Sequence, residues 1–231
     1  MKAAKKIGCL VPVYRHFQAL LQLLPELTNY FKQTDIIIVD DGGDDFDRAE
    51  LRQLFPKITC LSHDKNLGKG AAQLTGLAAL AVRGYSHALC LDADGQHDPA
   101  DIPAFTAACG TAAIVIGDRL ANMSGMPYSR RLSNRLTSAL IRRQTGLAVG
   151  DSQCGFRLLD IAAIMQLPLT AGGFQFESQM LFEAGRKRLT IRNVPIRIVY
   201  NRRGSSIHHF ADSWRFVRLA WRYRWRTNAS S

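Results

Sequence analysis

Two apolar runs in this chain stop abruptly in acid. Ile36-Ile37-Ile38-Val39 runs into Asp40-Asp41-Gly42-Gly43, and His87-Ala88-Leu89-Cys90-Leu91 runs into Asp92-Ala93-Asp94-Gly95. Continuous aliphatic runs of this length, without polar alternation, mark strands buried on both faces. Helix-like segments separate them, and alternation of this kind implies an α/β fold with a mostly parallel sheet covered by helices. In such sheets ligands bind outside the carboxyl ends of the strands. Both acidic ends are therefore expected at one crevice.

The remaining pattern extends that frame. Strands are expected at Ile7–Val13, Ile58–Ser62 and Ala112–Ile116, and helices at Phe17–Phe31, Asp47–Phe55, Lys69–Arg83 and Pro99–Ala108. The second half is less regular. Ser129–Arg143 and Phe174–Gly185 have helical character, Leu189–Tyr200 suits one or two strands around Pro195, and Phe210–Arg226 forms a basic-aromatic helix. No repeat or linker stands out, so the expected organisation is one domain over 1–209 with a C-terminal helix over 210–231.

Within a strand Asp92 and Asp94 would point to opposite faces. They converge only if the chain turns, and Gly95 supplies the turn. Two hard oxygen ligands beside an open loop suit a divalent cation that still has room for substrate phosphates. An EF-hand is excluded because Pro103 stands where the closing Glu is needed. A haloacid-dehalogenase-like phosphatase also carries DxDG after an apolar strand, and that reading stays open as the second enzyme class. Asn66-Leu67-Gly68-Lys69-Gly70 leads into a helix and is compatible with an anion contact. It is no Walker A loop, since Gly70 follows Lys69 where Ser or Thr is required.

The chain of 231 residues carries a net charge of +11. Such an excess favours an anionic partner: phosphorylated substrate, anionic lipid or nucleic acid. A nucleic-acid binder would leave the paired aspartates unexplained. Cys9, Cys60, Cys90, Cys109 and Cys154 are odd in number and form no CxxC pair, the usage of core residues in a reducing compartment. There is no signal-peptide pattern and no apolar stretch near the roughly 20 residues a membrane span needs. A cytoplasmic protein is expected, peripheral on the inner membrane face. In the tail, Phe210, Trp214, Val217, Trp221 and Trp225 share one helical stripe flanked by arginines. That pattern suits either packing on the domain or an anionic membrane surface.

In chain order, Val11-Pro12-Val13-Tyr14, Val39-Asp40-Asp41-Gly42, Asn66-Leu67-Gly68-Lys69-Gly70-Ala71, Asp92-Ala93-Asp94-Gly95-Gln96-His97, Gly117-Asp118-Arg119, Gln153-Cys154-Gly155-Phe156-Arg157 and Phe174-Gln175-Phe176-Glu177 resemble the family 2 glycosyltransferases of GT-A fold. The likeness is to the dolichyl- and polyprenyl-phosphate mannosyltransferases and their bacterial relatives. Gly204–Phe210 also resembles members found in aryl-polyene pigment clusters. The resemblance implies an inverting, metal-dependent hexosyltransferase that moves a sugar from a GDP- or UDP-sugar to a lipid-linked acceptor, either polyprenyl phosphate or a hydroxyl of a lipid or polyene. It implies that Pro12, Tyr14, Asp40 and Asp41 line the nucleoside pocket. Asp92, Asp94 and Gln96 would hold Mg²⁺ or Mn²⁺. Lys69, Arg131 and Arg202 (or Arg203) would contact the donor, with Asp94, Arg119 and Glu177 in catalytic roles. The sequence departs from the family pattern at Arg15-His16, where Asn-Glu is usual, at Gln179, where a Glu is usual, and at Ile207, where a Lys is common.

Overall fold

A computed structural model of the protein describes residues 5–121, 128–170, 175–197 and, in the tail, 220, 221 and 223. In chain order, β1 (Ile7–Val13), α1 (Phe17–Leu27), β2 (Ile36–Asp40), α2 (Arg48–Leu54), β3 (Thr59–Ser62), α3 (Lys69–Val82) and β4 (His87–Cys90) alternate without exception. Then come α4 (Ile102–Ala107), β5 (Ile114–Asp118), α5 (Tyr128–Thr145), β6 (Arg157–Asp160), α6 (Ile161–Met165), α7 (Phe176–Arg186) and β7 (Ile191–Pro195).

The strands form one seven-stranded sheet in the order β3-β2-β1-β4-β6-β5-β7. β6 runs antiparallel to β4 and β5, and every other pairing is parallel. The chain first winds outward from β1 through β2 to β3, then returns to place β4 on the other side of β1. That reversal leaves a crevice at the carboxyl ends of β1, β2 and β4. Val13 lies opposite Asp40, and Leu10 opposite Cys90. Asp40 and Asp92 thus flank the end of one central strand, as the acid-terminated runs implied.

β2 is buried along its whole length, as a central strand with helices on both faces must be. α1 buries Phe17, Leu20, Leu23, Leu24 and Leu27 on one stripe, the spacing of a helix lying on a sheet. It ends four residues short of the expected Phe31. Pro25 lacks the N–H that would bond the Leu21 carbonyl. The Thr28 hydroxyl then donates to the Pro25 carbonyl at 2.7 Å. The Pro99–Ala108 helix also divides, into a 3-10 turn over Pro99–Asp101 followed by α4. Pro103 removes the N–H that an α-helix would aim at the Pro99 carbonyl, and Ile102 donates to it instead.

β5 begins two residues later than expected and continues through Gly117-Asp118, because those residues pair with Val194 and Pro195 of β7. The Leu189–Tyr200 segment yields a single strand, β7, among its described residues. α6 was not foreseen. It is a short helix capped by Asp160, whose side chain accepts from the Ala163 N–H at 3.1 Å.

All five cysteines are free thiols. Burial pushes Cys90 and Cys154 up to about 12, so neither is an available nucleophile at neutral pH. No helix of the described residues is long and apolar enough to cross a membrane. In the tail, helical Ala220 and Tyr223 are buried while Trp221 is 62% exposed. The Trp221 position of the aromatic stripe therefore faces away from the domain. The Tyr223 ring stacks on Phe182 at 4.7 Å and its hydroxyl donates to Glu183 at 2.7 Å.

Leu24 is fully buried beneath α1. Leu24→Ala is expected to cost about 2–5 kcal/mol, read as a lowered urea midpoint with an unchanged slope.

Candidate functional site

The crevice is built from loops that leave β1, β2 and β4. After β1, Tyr14 is half-buried beneath the guanidinium of Arg15, which lies 5.2 Å from its ring centroid. Pro12 is buried within β1 itself. Arg15 has φ 55°, a left-handed conformation that Asn tolerates better than Arg. This is a physical reason why Asn suits that position in the motif. Here the strained turn is held by Arg15 Nε to Asp44 at 3.1 Å and by the Phe17 N–H donating to Asp45 at 3.0 Å.

The two aspartates after β2 differ in what they do. Asp40 accepts from the Gly43 N–H at 2.9 Å, closing its own turn. Asp41 is buried and accepts from the Leu67 and Gly68 N–H groups at 3.0 and 2.8 Å. His63 Nδ1 stands 2.7 Å from Asp41, and His63 Nε2 stands 3.0 Å from the Thr75 hydroxyl on α3. Asp41 therefore organises the loop that precedes α3. Among the described residues, the Asp40 side chain has the one hydrogen bond to Gly43.

Lys69, the first residue of α3, sits between two carboxylates. Its Nζ lies 2.6 Å from Asp92 Oδ1 and 2.7 Å from Glu177 Oε1. His97 Nε2 faces the other Asp92 oxygen at 3.6 Å, and the His97 ring packs on Phe156. Burial alone would suppress charge on both partners. For Lys69, Asp92 and Glu177 outweigh it and hold the ammonium above the usual lysine range. For Asp92, burial is likewise outweighed by Lys69, with His97 adding to it, and the carboxyl is held well below the usual range. Beyond Asp92 the chain turns at Gly95, with φ 71°. Asp94 accepts there from the Gln96 N–H at 3.0 Å.

A second charged node lies beside it. Arg119, at the end of β5, donates through Nε and Nη2 to Asp151 at 2.6 and 3.2 Å. Asn134 of α5 and the Gln153 N–H also donate to Asp151. Burial lowers the Arg119 guanidinium, but Asp151 more than compensates and keeps it above the ordinary arginine range. Arg157 is buried and donates to the carbonyls of Ser152, Cys154 and Glu177 at 2.8, 2.8 and 3.2 Å. It staples the 152–154 loop to the start of α7.

Among the expected site residues, Pro12, Tyr14, Asp40, Asp41, Lys69, Asp92, Asp94, Gln96, Arg119 and Glu177 belong to loops and element ends around this crevice. Arg131 is half-buried on α5, one turn before Asn134. Arg202 and Arg203 lie outside the described residues, as do Phe174 and Ile207. Sequence reasoning missed His63, Asp151 as the partner of Arg119, and the bridge from Lys69 to Glu177. Gln179, in place of the usual Glu, accepts from the Thr170 N–H and hydroxyl at 3.2 Å and donates to the Pro168 carbonyl. It serves the 168–170 loop.

Among the described residues no three His, Cys, Asp or Glu side chains converge as a metal cage. The expected ligands, Asp92, Asp94 and Gln96, form a set of two carboxylates and an amide on a turn. It fits a hard divalent cation that keeps open positions for other ligands.

A strand-order reversal with acidic strand ends and this charged crevice defines a GT-A nucleotide-sugar transferase fold. The model of the glycosyl transferase family 2 matches residues 9–167. The chain belongs to that family and is a glycosyltransferase, which sets aside the phosphatase reading of Asp92-Ala93-Asp94. It is 29% identical over 220 residues to the UDP-N-acetylglucosamine–dolichyl-phosphate N-acetylglucosaminyltransferase of Methanococcus voltae, covering 86% of this chain and 87% of that one. It is 30% identical over 210 residues to the undecaprenyl-phosphate mannosyltransferase of Micrococcus luteus, covering 87% and 86%. The fold is shared with glucosyl-3-phosphoglycerate synthase of Mycobacterium tuberculosis in complex with UDP. That comparison has a TM-score of 0.74 at 19% identity and covers 96% of this chain and 81% of that one. The same enzyme with Mn²⁺, UDP and glucosyl-3-phosphoglycerate superposes with a TM-score of 0.70 at 18% identity, covering 94% and 78%.

The depressed Asp92 carboxyl has a signed consequence. The unfolded chain takes up this proton more readily than the folded one. The stabilisation is therefore complete above the unfolded value of about 4 and is lost as pH falls through the lower folded value. Asp92→Asn is expected to lower the urea midpoint at neutral pH and to show a shallower loss of stability than the parent between about pH 4 and pH 2.

Proposed function

We propose that the protein is an inverting, divalent-cation-dependent glycosyltransferase acting on a nucleotide-diphosphate sugar and a polyprenyl phosphate. The observation that carries the acceptor class is the engagement of Glu177 and Gln179 in the first turn of α7. Glu177 is paired with Lys69, and Gln179 is bonded to the 168–170 loop. The Gln179 amide cannot take a proton, and Glu177 is committed to the Lys69 ion pair. A phosphate acceptor is already ionised at neutral pH and needs no base. The two relatives named above act, by their names, on dolichyl phosphate and undecaprenyl phosphate, which supports the same class.

Pro12, Tyr14 and Asp40 are assigned to the nucleoside and Asp94, Asp92 and Gln96 to Mg²⁺ or Mn²⁺. A cation bound there supplies charge neutralisation of the leaving diphosphate. Mn²⁺ beside UDP in the synthase of the same fold supports that assignment. Arg119, its Nε edge held by Asp151, is oriented to offer its remaining N–H groups to phosphate oxygens. Arg131 and Arg202 are assigned to the same role. An acceptor phosphate oxygen attacks the anomeric carbon from the face opposite the donor diphosphate. The new C–O bond forms as the bond to the diphosphate oxygen breaks, and the anomeric configuration inverts.

The acceptor's lipid places the enzyme at a membrane surface, proposed as the inner face. The outer side of α5 supports this. Leu132 and Leu136 are 45% and 63% exposed there, and the helix carries five arginines and no acidic residue. The exposed Trp221 extends the same chemistry into the tail, whose Trp and Arg residues suit an anionic interface.

Incubation with Mn²⁺ and a panel of UDP- and GDP-sugars should give transfer to a short polyprenyl phosphate with inverted configuration by NMR. At least tenfold less transfer to the matching polyprenol is expected, and equal or faster transfer to the alcohol would overturn the acceptor assignment. Sedimentation with phosphatidylglycerol vesicles should fall at least fivefold in the combined Leu132→Glu, Leu136→Glu variant. Unchanged sedimentation would remove α5 from the membrane contact.

A further inference from the structure

Lys69 occupies a position that the proposed donor chemistry leaves unexplained. A lysine opening a helix beside a diphosphate site would be expected to reach for phosphate. Here its ammonium is instead enclosed by protein carboxylates, at 2.6 Å from Asp92 and 2.7 Å from Glu177. Three elements fix it there. α3 supplies Lys69 just after Gly68, whose N–H is held by Asp41. α7 supplies Glu177, and the Phe176 ring packs against Gly70 so closely that a Cβ on Gly70 would lie 2.7 Å from it. The backbone of Gly155 closes the cradle: a Cβ there would overlap Asp92 Oδ2 and lie 2.9 Å from the Lys69 Nζ.

The cradle therefore already holds one positive charge against the carboxylate that a divalent ion would use. An ammonium and a divalent ion sharing Asp92 repel each other at close range, with little water between them to screen the repulsion. A diphosphate changes this balance. It brings oxygen ligands for the metal and negative charge that the ammonium can turn toward. We propose that Lys69 is a resident counter-cation that keeps the Asp92/Asp94 site a weak divalent-ion site until a nucleoside diphosphate arrives, so that ion and donor bind as a coupled pair. The inference rests on the donor and cation roles proposed above. By linkage the coupling is reciprocal: the ion strengthens nucleotide binding by the same factor that the nucleotide strengthens ion binding.

The test is a titration of Mn²⁺, read as loss of the free-ion paramagnetic resonance signal, on wild type, Lys69→Met, Lys69→Gln and Lys69→Arg. Each is run without nucleotide and with saturating UDP or GDP. Without nucleotide, the two neutral variants should bind Mn²⁺ at least tenfold more tightly than wild type, and Lys69→Arg should stay within about threefold of it. The gain in Mn²⁺ affinity on adding nucleotide should be largest in wild type and shrink at least tenfold in the neutral variants. Unchanged or weaker Mn²⁺ binding in both neutral variants would show that Lys69 only positions Asp92, and would overturn the proposal. If neither neutral variant folds, as judged by far-UV circular dichroism, the wild-type titration decides. Mn²⁺ affinity that is equal with and without bound nucleotide overturns it. The nucleotide-free arm is independent of the donor reading: failure of wild type to bind either nucleotide would count against that reading while the Lys69 comparison still stands or falls by itself.

Discussion

β1 pairs in parallel with β2 on one side and β4 on the other, and the rest of the crevice depends on that placement. Parallel pairing brings the carboxyl ends of all three strands to the same edge of the sheet. The reversal of strand order across β1 keeps the helices that follow β1 and β4 from closing over that edge. Two acidic strand ends, separated by about fifty residues of chain, thereby become near neighbours. β2 and β4 are buried along their whole length, so a slip of one residue would draw the acidic strand ends toward the apolar core, where an unpaired carboxylate is costly.

Charge is confined in this crevice by pairing. Lys69 with Asp92 and Glu177, and Arg119 with Asp151, are each partly or wholly withdrawn from water. Burying such groups singly is costly, and removing one partner strands the other. Arg157 follows the same logic with neutral partners, its guanidinium bonding two loop carbonyls and one at the start of α7. Among the described residues, the arrangement gives Asp94, on the turn at Gly95, one backbone donor on one oxygen. A nucleotide-sugar transferase needs this combination: rigid groups around the reacting phosphates and one acidic turn still open to a ligand.

The strand and helix order of the first half was legible because periodicity there is strong and several elements have Gly, Pro or Asp at one end. Its errors have local causes. Pro103 removes one donor and turns the start of α4 into a 3-10 turn, and α1 gives way after Leu27 to the tighter bonds of Asn29 to Glu26 and Tyr30 to Leu27. The extent of β5 depended on a partner, β7, about seventy residues later, which no local pattern encodes. The acidic strand ends were legible for the same reason as the strands. His63 and Asp151 were not. Histidine after a strand and aspartate in a polar loop carry no periodic signal, and their roles arise only when Asp41 and Arg119 come within bonding distance.

The order of buried strands, their acid-terminated ends and the glycine turn at Gly95 follow from local chain chemistry, since hydrophobic periodicity and backbone freedom act over a few residues. Which carboxylate is held by a cation, and which is left open, does not. Asp40 and Asp41 are adjacent and chemically alike, as Asp92 and Asp94 nearly are. Their division of labour comes from long-range contacts: Asp41 meets the loop before α3, and Asp92 meets Lys69. Electrostatic pairing falls off with distance in space and is blind to distance along the chain, so only the folded arrangement assigns these roles.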